Sequence, residues 1–438
     1  MSALSLLEII IAQVKTGTCT APQRSASLQP RMAASSMPRA SPPQGGIAAA
    51  HSMKFIDIGA NMLDGMFAGE YRGKQAHPPD IDAILARAAD AGVERLIVTA
   101  GSLEESKAAI DFVRAHRTAG SPVKLYSTVG VHPTRALEFL PTAERSRVAA
   151  AMEQLSLFTA PDSKQSDDTV GRAVAEAALT EAELAVLETD HVEAAIRAHT
   201  DALLEVITEG MAENIVVAVG ECGLDYDRLF FCPAQVQQAG FKVQLELSTS
   251  CGLPLFLHNR NTGGDFATMM STACAGSEAA RGGVVHSFDG DEKECKALLA
   301  LGLHIGLNGC SLRTPENLAM ASQVPLDRLH LETDAPWCSI KRTHAGFAHV
   351  RPLNLSSGGG ESLKEVKKEK WEAGACVKDR CEPCHIQHVL QVLAGSRLAS
   401  AGSVEDETRG DGSNSAAEEQ RVADAAYANS LRVFWPNE

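Results

Sequence analysis

The chain has 438 residues, 45% of them hydrophobic, enough for two average domains or one large α/β domain, and this excludes a fully disordered protein. With 40 Lys and Arg against 55 Asp and Glu the formal charge is −15, so bulk electrostatics repels a polyanion and any nucleic-acid contact must be local or carried by metal. No apolar run approaches the roughly 18 to 20 residues of a membrane-spanning helix, so a soluble protein is expected.

Residues 1–52 are rich in Ala, Ser and Pro and carry Lys15, Arg24, Arg31 and Arg39 against a single acid, Glu8. Glu8 interrupts the apolar Leu6 to Ala12 segment and no basic residue precedes it, so a secretory signal is excluded. The stretch reads as a disordered leader or an organellar transit peptide, and without such targeting the cytoplasm or nucleus is expected. The 11 cysteines are odd in number and irregularly spaced, as in a reducing compartment. Cys381, Cys384, His385 and His388 are too tightly spaced for a zinc module, whose ligand pairs are separated by a loop.

From Lys54 onward short apolar runs alternate with helical patterns: Phe55 to Ile58, Leu96 to Thr99, Leu125 to Val131, Ile215 to Val219, Leu253 to Leu257, Gly283 to Val285, Leu303 to Leu307 and Leu329 to Leu331. Eight such runs predict an α/β protein, a TIM-like (β/α)8 barrel, over residues 53–438. Between the first two, Asp80 is placed to cap a helix whose Ile81, Ile84, Leu85 and Ala88 share one face, with Gly92 ending it. Two insertions interrupt the spacing: a helical one at about 155–210, acidic and Ala-rich, and a disordered one at about 395–420, rich in Ser, Gly, Asp and Glu.

In such a barrel the active site lies at the C-terminal ends of the strands. There the fourth run ends in Gly220-Glu221-Cys222-Gly223, the fifth in His258, the sixth in His286 and the eighth in Glu332-Thr333-Asp334. Glu221, His258, His286 and Asp334 are therefore expected to converge as a divalent-metal site. A mixed N/O set of this kind activates water for hydrolysis, and Asp334 is the carboxylate placed to accept its proton. Each residue alone has a plainer reading, as a helix cap or a hydrogen-bonded strand end; four in register are harder to dismiss. Gly69 to Gln75 departs from a phosphate loop in spacing and lacks its Ser/Thr, and neither a G-x-S-x-G elbow nor a dinucleotide fingerprint occurs.

A set of motifs resembles the TatD family of metal-dependent deoxyribonucleases, in its eukaryotic TatD-domain-containing form. They include Phe55-Ile-Asp-Ile-Gly-Ala-Asn61, Gly130-Val-His-Pro-Thr134, Gly220-Glu-Cys-Gly-Leu-Asp225, Phe256-Leu-His-Asn-Arg260, Val285-His-Ser-Phe-Asp-Gly290, Glu332-Thr-Asp-Ala-Pro-Trp-Cys338 and Glu382-Pro-Cys-His385. The resemblance implies an amidohydrolase-like metal-dependent hydrolase that holds divalent metal through the same four residues and cuts DNA, often as a 3′-to-5′ exonuclease. Mg²⁺ is the expected ion, with Mn²⁺ or Zn²⁺ as alternatives. It also implies that His132 lines the pocket and touches a phosphate or a substrate-side water. The chain departs from the pattern at Gly59-Ala60-Asn61, where many relatives carry His-x-His, at Asn259 in place of Cys, and at Cys381 in place of Asn.

For the DNA substrate, Arg260 is the first candidate contact, followed by Lys341, Arg342, Lys378, Arg380 and a Lys run over 364–370, with Trp337 and Trp371 as stacking surfaces. The rival readings are another metal-dependent hydrolase on the same barrel, an amidohydrolase or lactonase, and a non-catalytic scaffold. Nothing in the sequence points to a stable protein partner.

Overall fold

In the computed structural model the described residues are 53–148, 190–274, 282–353, 355, 363–402 and 412–438. The leader over 1–52 lies outside them. Eight parallel strands form one sheet in chain order: β1 (Phe55–Ala60), β2 (Val93–Val98), β3 (Lys124–Val129), β4 (Val216–Asp225), β5 (Leu255–Arg260), β6 (Gly283–Val285), β7 (His304–Leu307) and β8 (Leu329–Leu331). Each predicted run is one of these strands. Their almost continuous burial on both faces explains why they read as unbroken apolar segments instead of alternating ones.

The sheet curls into a barrel that is nearly closed. Ladders join each strand to the next as far as β8, but between β8 and β1 there is a single bridge, Ala60 to Ala335, beyond the end of β8. Ile56, Ile58, Ile97, Val217, Phe256 and Val284 fill the interior. Phe434 and Trp435 pack against this group from the N-terminal ends of the strands, and Arg95 lies over the Trp435 ring at 4.7 Å. Burying side chains of this size contributes roughly 2 to 3 kcal/mol each.

The helices α1 (Ile81–Asp90), α2 (Leu103–Thr118), α3 (Asp190–Ala212), α4 (Ala234–Cys251), α5 (Asp265–Cys274), α6 (Glu292–Ala300), α7 (Pro315–Gln323), α8 (Ile386–Gly402) and α9 (Gly412–Phe434) complete the fold. In α1 the predicted face is buried at Ile84, Leu85 and Ala88. Asp80 stands at its N-cap position but makes no capping bond. Its carboxylate instead takes both Arg380 amines, at 2.8 and 2.7 Å, because a buried guanidinium is the stronger partner.

The two predicted insertions are each described only in part. The stretch at about 155–210 ends in α3, whose Val192, Leu203, Val206 and Ile207 are buried; this is the crossover helix between β3 and β4, not an addition to the barrel. Residues 149–189 lie outside the described ones. The stretch at about 395–420, expected to be disordered, is helical up to Gly402 and again from Gly412, and residues 403–411 lie outside the described ones. Of its acids, the two in α9 are paired: Glu418 binds Arg397 and Arg421, and Glu419 binds Arg351 at 2.7 Å. Helix α9 then covers the open seam, with Asn429 Nδ2 donating to the Leu329 carbonyl and Ser430 Oγ 2.9 Å from His330 Nδ1.

Candidate metal centre

Strand β4 presents Glu221 through a bulge. Val219 pairs with Leu255 but Cys222 with Leu257, so the ladder slips between them and the Gly220-Glu221 segment is turned toward the mouth. Glycines make this local path available: Gly220 and Gly223 have φ of 147° and 143°, and a Cβ on Gly223 would fall 1.9 Å from the His258 carbonyl oxygen. On the next two strands Leu257 pairs with Val285, so His258 and His286, one residue further, come side by side.

Glu221, His258 and His286 converge at ligand distance. Glu221 Oε1 lies 2.8 Å from His258 Nδ1 and 2.8 Å from His286 Nε2, and the two ring nitrogens are 3.3 Å apart. The other nitrogen of each ring faces an acid: His258 Nε2 is 3.3 Å from Asp225 Oδ2, and His286 Nδ1 is 3.7 Å from Glu332 Oε2. Glu332 is fully buried, accepts from the Ser287 N–H and from Asn308 Nδ2, and sits against Gly59 and Gly306, where a Cβ would crowd it.

Electrostatics favours positive charge here. Burial would raise the Glu221 carboxyl, yet the His286 and His132 rings hold it well below the usual range. Burial would likewise lower both imidazoles, but the Asp225 and Glu221 carboxylates raise His258, and the charges of Glu221 and Glu332 raise His286 well above its ordinary value. Three buried acids around two imidazoles thus demand a cation, which protons or a divalent ion can supply. The donor set fits a divalent ion: two ring nitrogens and one carboxylate oxygen face each other, and each ring has a carboxylate behind it at ion-pair distance, short of a hydrogen bond.

Asp334 is not within this group. After β8 the chain crosses to β1, Asp334 N donating to the Gly59 carbonyl at 2.8 Å with φ at 51°. Its Oδ1 accepts from Asn61 Nδ2 at 2.8 Å and its Oδ2 from Cys338 Sγ at 3.2 Å. Burial pushes its carboxyl up to about 6, with the nearby His286 opposing. Asp57 does not face the centre either. It accepts from Thr333 N at 3.0 Å and Thr333 Oγ1 at 2.6 Å, and burial pushes it up to about 7.

His132 reaches the centre, its Nε2 3.3 Å from Glu221 Oε1. Its Nδ1 accepts from the Thr134 N–H, which leaves the proton of the neutral ring on Nε2, and burial lowers its affinity for a second proton despite Glu221. Arg260 is paired with Asp289, so its charge is largely offset. Arg380 is no surface contact: it is 2% exposed and bound to Asp80 and Glu382. Trp371 stacks on His77, whereas Trp337 is 52% exposed.

Sequence reasoning passed over Asp225 and Glu332 as the acids behind the two rings, although Asp225 closes the Gly220-to-Asp225 motif and Glu332 directly follows β8. Two further ligand-type groups occur among the described residues. His132, Asp225 and His258 form one, sharing the His258 ring, and Cys376, Cys384 and His385 form the other. In the latter, His385 Nδ1 already accepts from the Glu382 N–H at 2.9 Å.

Comparison with known proteins finds relatives over most of the chain. A Schizosaccharomyces pombe protein named deoxyribonuclease Tat-D is 34% identical over 344 residues, covering 78% of this chain and 89% of the relative. A 3′-5′ ssDNA/RNA exonuclease TatD from Edwardsiella piscicida is 30% identical over 285 residues, covering 64% and 79%. The crystal structure of an uncharacterized amidohydrolase from Saccharomyces cerevisiae superposes with a TM-score of 0.67 at 30% identity, covering 87% of this chain and 100% of the other. The family model described as TatD related DNase matches residues 71–434, and with a TIM barrel carrying an acid and two imidazoles at its mouth the chain belongs to the TatD family.

Proposed function

We propose that the chain is a divalent-metal-dependent deoxyribonuclease that hydrolyses phosphodiester bonds of DNA, working from the 3′ end. The observation that carries the reading is the meeting of His258 Nδ1 and His286 Nε2 on one oxygen of Glu221, at 2.8 Å each, in a chain of the TatD family. These three atoms would hold the ion. A divalent cation there supplies Lewis acidity toward a phosphoryl oxygen and a water acidic enough to attack near neutral pH.

The remaining residues act around it. Asp225 and Glu332 stand behind the two rings and supply negative charge there. Asp334 accepts the proton of the attacking water; a carboxyl pushed up to about 6 is mostly ionised at neutral pH yet closer to the proton it takes than an ordinary aspartate. Asn61 and Cys338 hold its two oxygens in place. His132 presents its Nε2–H to a non-bridging phosphate oxygen or a substrate-side water, a task a neutral ring performs without attracting protons from the site. Arg260 contributes modestly to holding the DNA backbone because Asp289 already neutralises it. Mg²⁺ is the ion inferred from phosphodiester chemistry, while two ring nitrogens in the set favour Mn²⁺ or Zn²⁺.

The test uses the purified full chain, single- and double-stranded DNA labelled at the 5′ end, and Mg²⁺, Mn²⁺, Zn²⁺ or EDTA. Metal-dependent shortening from the 3′ end, absent in EDTA and in Glu221→Gln, is the expected result. Intact DNA with every metal, or cleavage that persists in EDTA, overturns the reading; hydrolysis of a lactone or amide in its place moves the assignment to another hydrolase.

A further inference from the structure

At the rim of the mouth, cysteines from the loops after β7 and β8 meet. Cys310 opens the turn Cys310–Leu312, and Cys338 follows Asp334 and Trp337. Their sulfurs are 2.8 Å apart. The approach is built into the backbone, since a Cβ on Gly309 would fall 1.8 Å from the Cys338 carbonyl oxygen; only glycine lets the loops press together. Both residues are half-buried, unlike the fully buried pair Cys376 and Cys384. They also differ in surroundings. The single Cys338 S–H is shared between the Cys310 sulfur and Asp334 Oδ2, whereas Cys310 Sγ accepts from the Arg313 guanidinium at 3.8 Å.

We infer that Cys310 and Cys338 form an oxidisable dithiol, a modification site that takes a hydroperoxide as oxidant and yields a disulfide between the β7 and β8 loops. Cys310, beside Arg313, attacks hydrogen peroxide; the O–O bond breaks, one water leaves and a sulfenic acid forms. Cys338 then attacks that sulfur, its proton leaves with the hydroxyl as a second water, and the S–S bond closes. Two thiols have lost two electrons and two protons, and the peroxide has become two waters. The product no longer has the S–H that Asp334 Oδ2 accepts, so the carboxylate loses one of its two anchors. A dithiol reductant restores it. Only this link to activity rests on the function proposed above; the disulfide does not.

The experiment treats the full chain with stoichiometric hydrogen peroxide and reads intact mass, linked peptides and DNA cleavage before and after dithiothreitol. The expected result is a mass loss of about 2 Da, a peptide joining Cys310 to Cys338, and a roughly tenfold fall in cleavage that the reductant reverses. Cys310→Ser, at a residue that does not touch Asp334, is expected to keep its untreated activity and to form no link. A protein that retains every thiol, or that links other cysteines, overturns the site. A link that forms without changing the cleavage of a previously active enzyme overturns the switch. Should the untreated protein not cut DNA, the mass and peptide readouts still decide, so failure of the nuclease reading is told apart from failure of the site.

Discussion

The arc from β4 to β6 and the seam between β8 and β1 both deliver acidic groups to the mouth, by different means. In the arc, backbone ladders fix the register. Leu257 opposite Val285 places the two imidazoles together, and the bulge at Gly220-Glu221 brings the acid to them. At the seam the ladder is reduced to one bridge, and side chains complete the closure: Asp57 binds Thr333, Asn61 binds Asp334, and Thr99 Oγ1 donates to Asn61 Oδ1 at 2.9 Å. Ladder-set residues converge to ligand distance, whereas the seam-set Asp334 is held by its neighbours at the edge of the group. A rigid donor set beside a separately suspended carboxylate suits a division between holding an ion and moving a proton.

Substitutions can break this contrast. The largest effect is expected in the arc: Glu221→Gln should lower DNA cleavage by on the order of 10³-fold and abolish stoichiometric metal binding by calorimetry, with the fold retained by circular dichroism. Retained metal binding would move the centre elsewhere. At the seam, Asp334→Asn should lower cleavage roughly 100-fold while leaving metal binding nearly intact. Equal loss of both would make Asp334 a ligand and erase the division.

Smaller effects sharpen the comparison. Asp57→Ala leaves the Thr333 N–H and hydroxyl and the Gly59 N–H without a buried acceptor, and should cost about 2 to 3 kcal/mol in denaturant unfolding. An unchanged midpoint would show that the seam is held otherwise. The last effect is in pH. Burial moves Asp57 from 3.8 to about 7, so between these values the folded protein keeps a proton that the unfolded chain releases. Its contribution to stability is present below pH 4, falls as pH rises to about 7 and levels off above, with a slope of at most about 1.4 kcal/mol per unit. In Asp57→Asn that part of the slope should vanish when unfolding is followed from pH 5 to 8.

Local sequence carried a great deal. The eight strands were legible because parallel strands buried on both faces appear as short unbroken apolar runs. Glu221, His258 and His286 were legible because each closes such a run, and strand ends share one rim of a barrel. His132 was placed by its resemblance to a known motif alone. Arg380 and Trp371 looked like exposed binding groups, and the paired acids around Glu418 and Glu419 looked like a disordered loop. Charge in a sequence does not show whether its partner lies far away in the chain, as Asp80 does for Arg380.

The alternation of apolar runs and helical faces thus determined a barrel and which residues reach its rim, since both follow from periodicity and strand direction. Tertiary structure alone decided which of those residues face one another. The β4 bulge, the pairing of Asp225 and Glu332 with the two rings, the crossing of the chain from Thr333 to β1 and the meeting of Cys310 with Cys338 depend on contacts between segments distant in sequence. Their geometry is set by register and packing, and no local pattern encodes it.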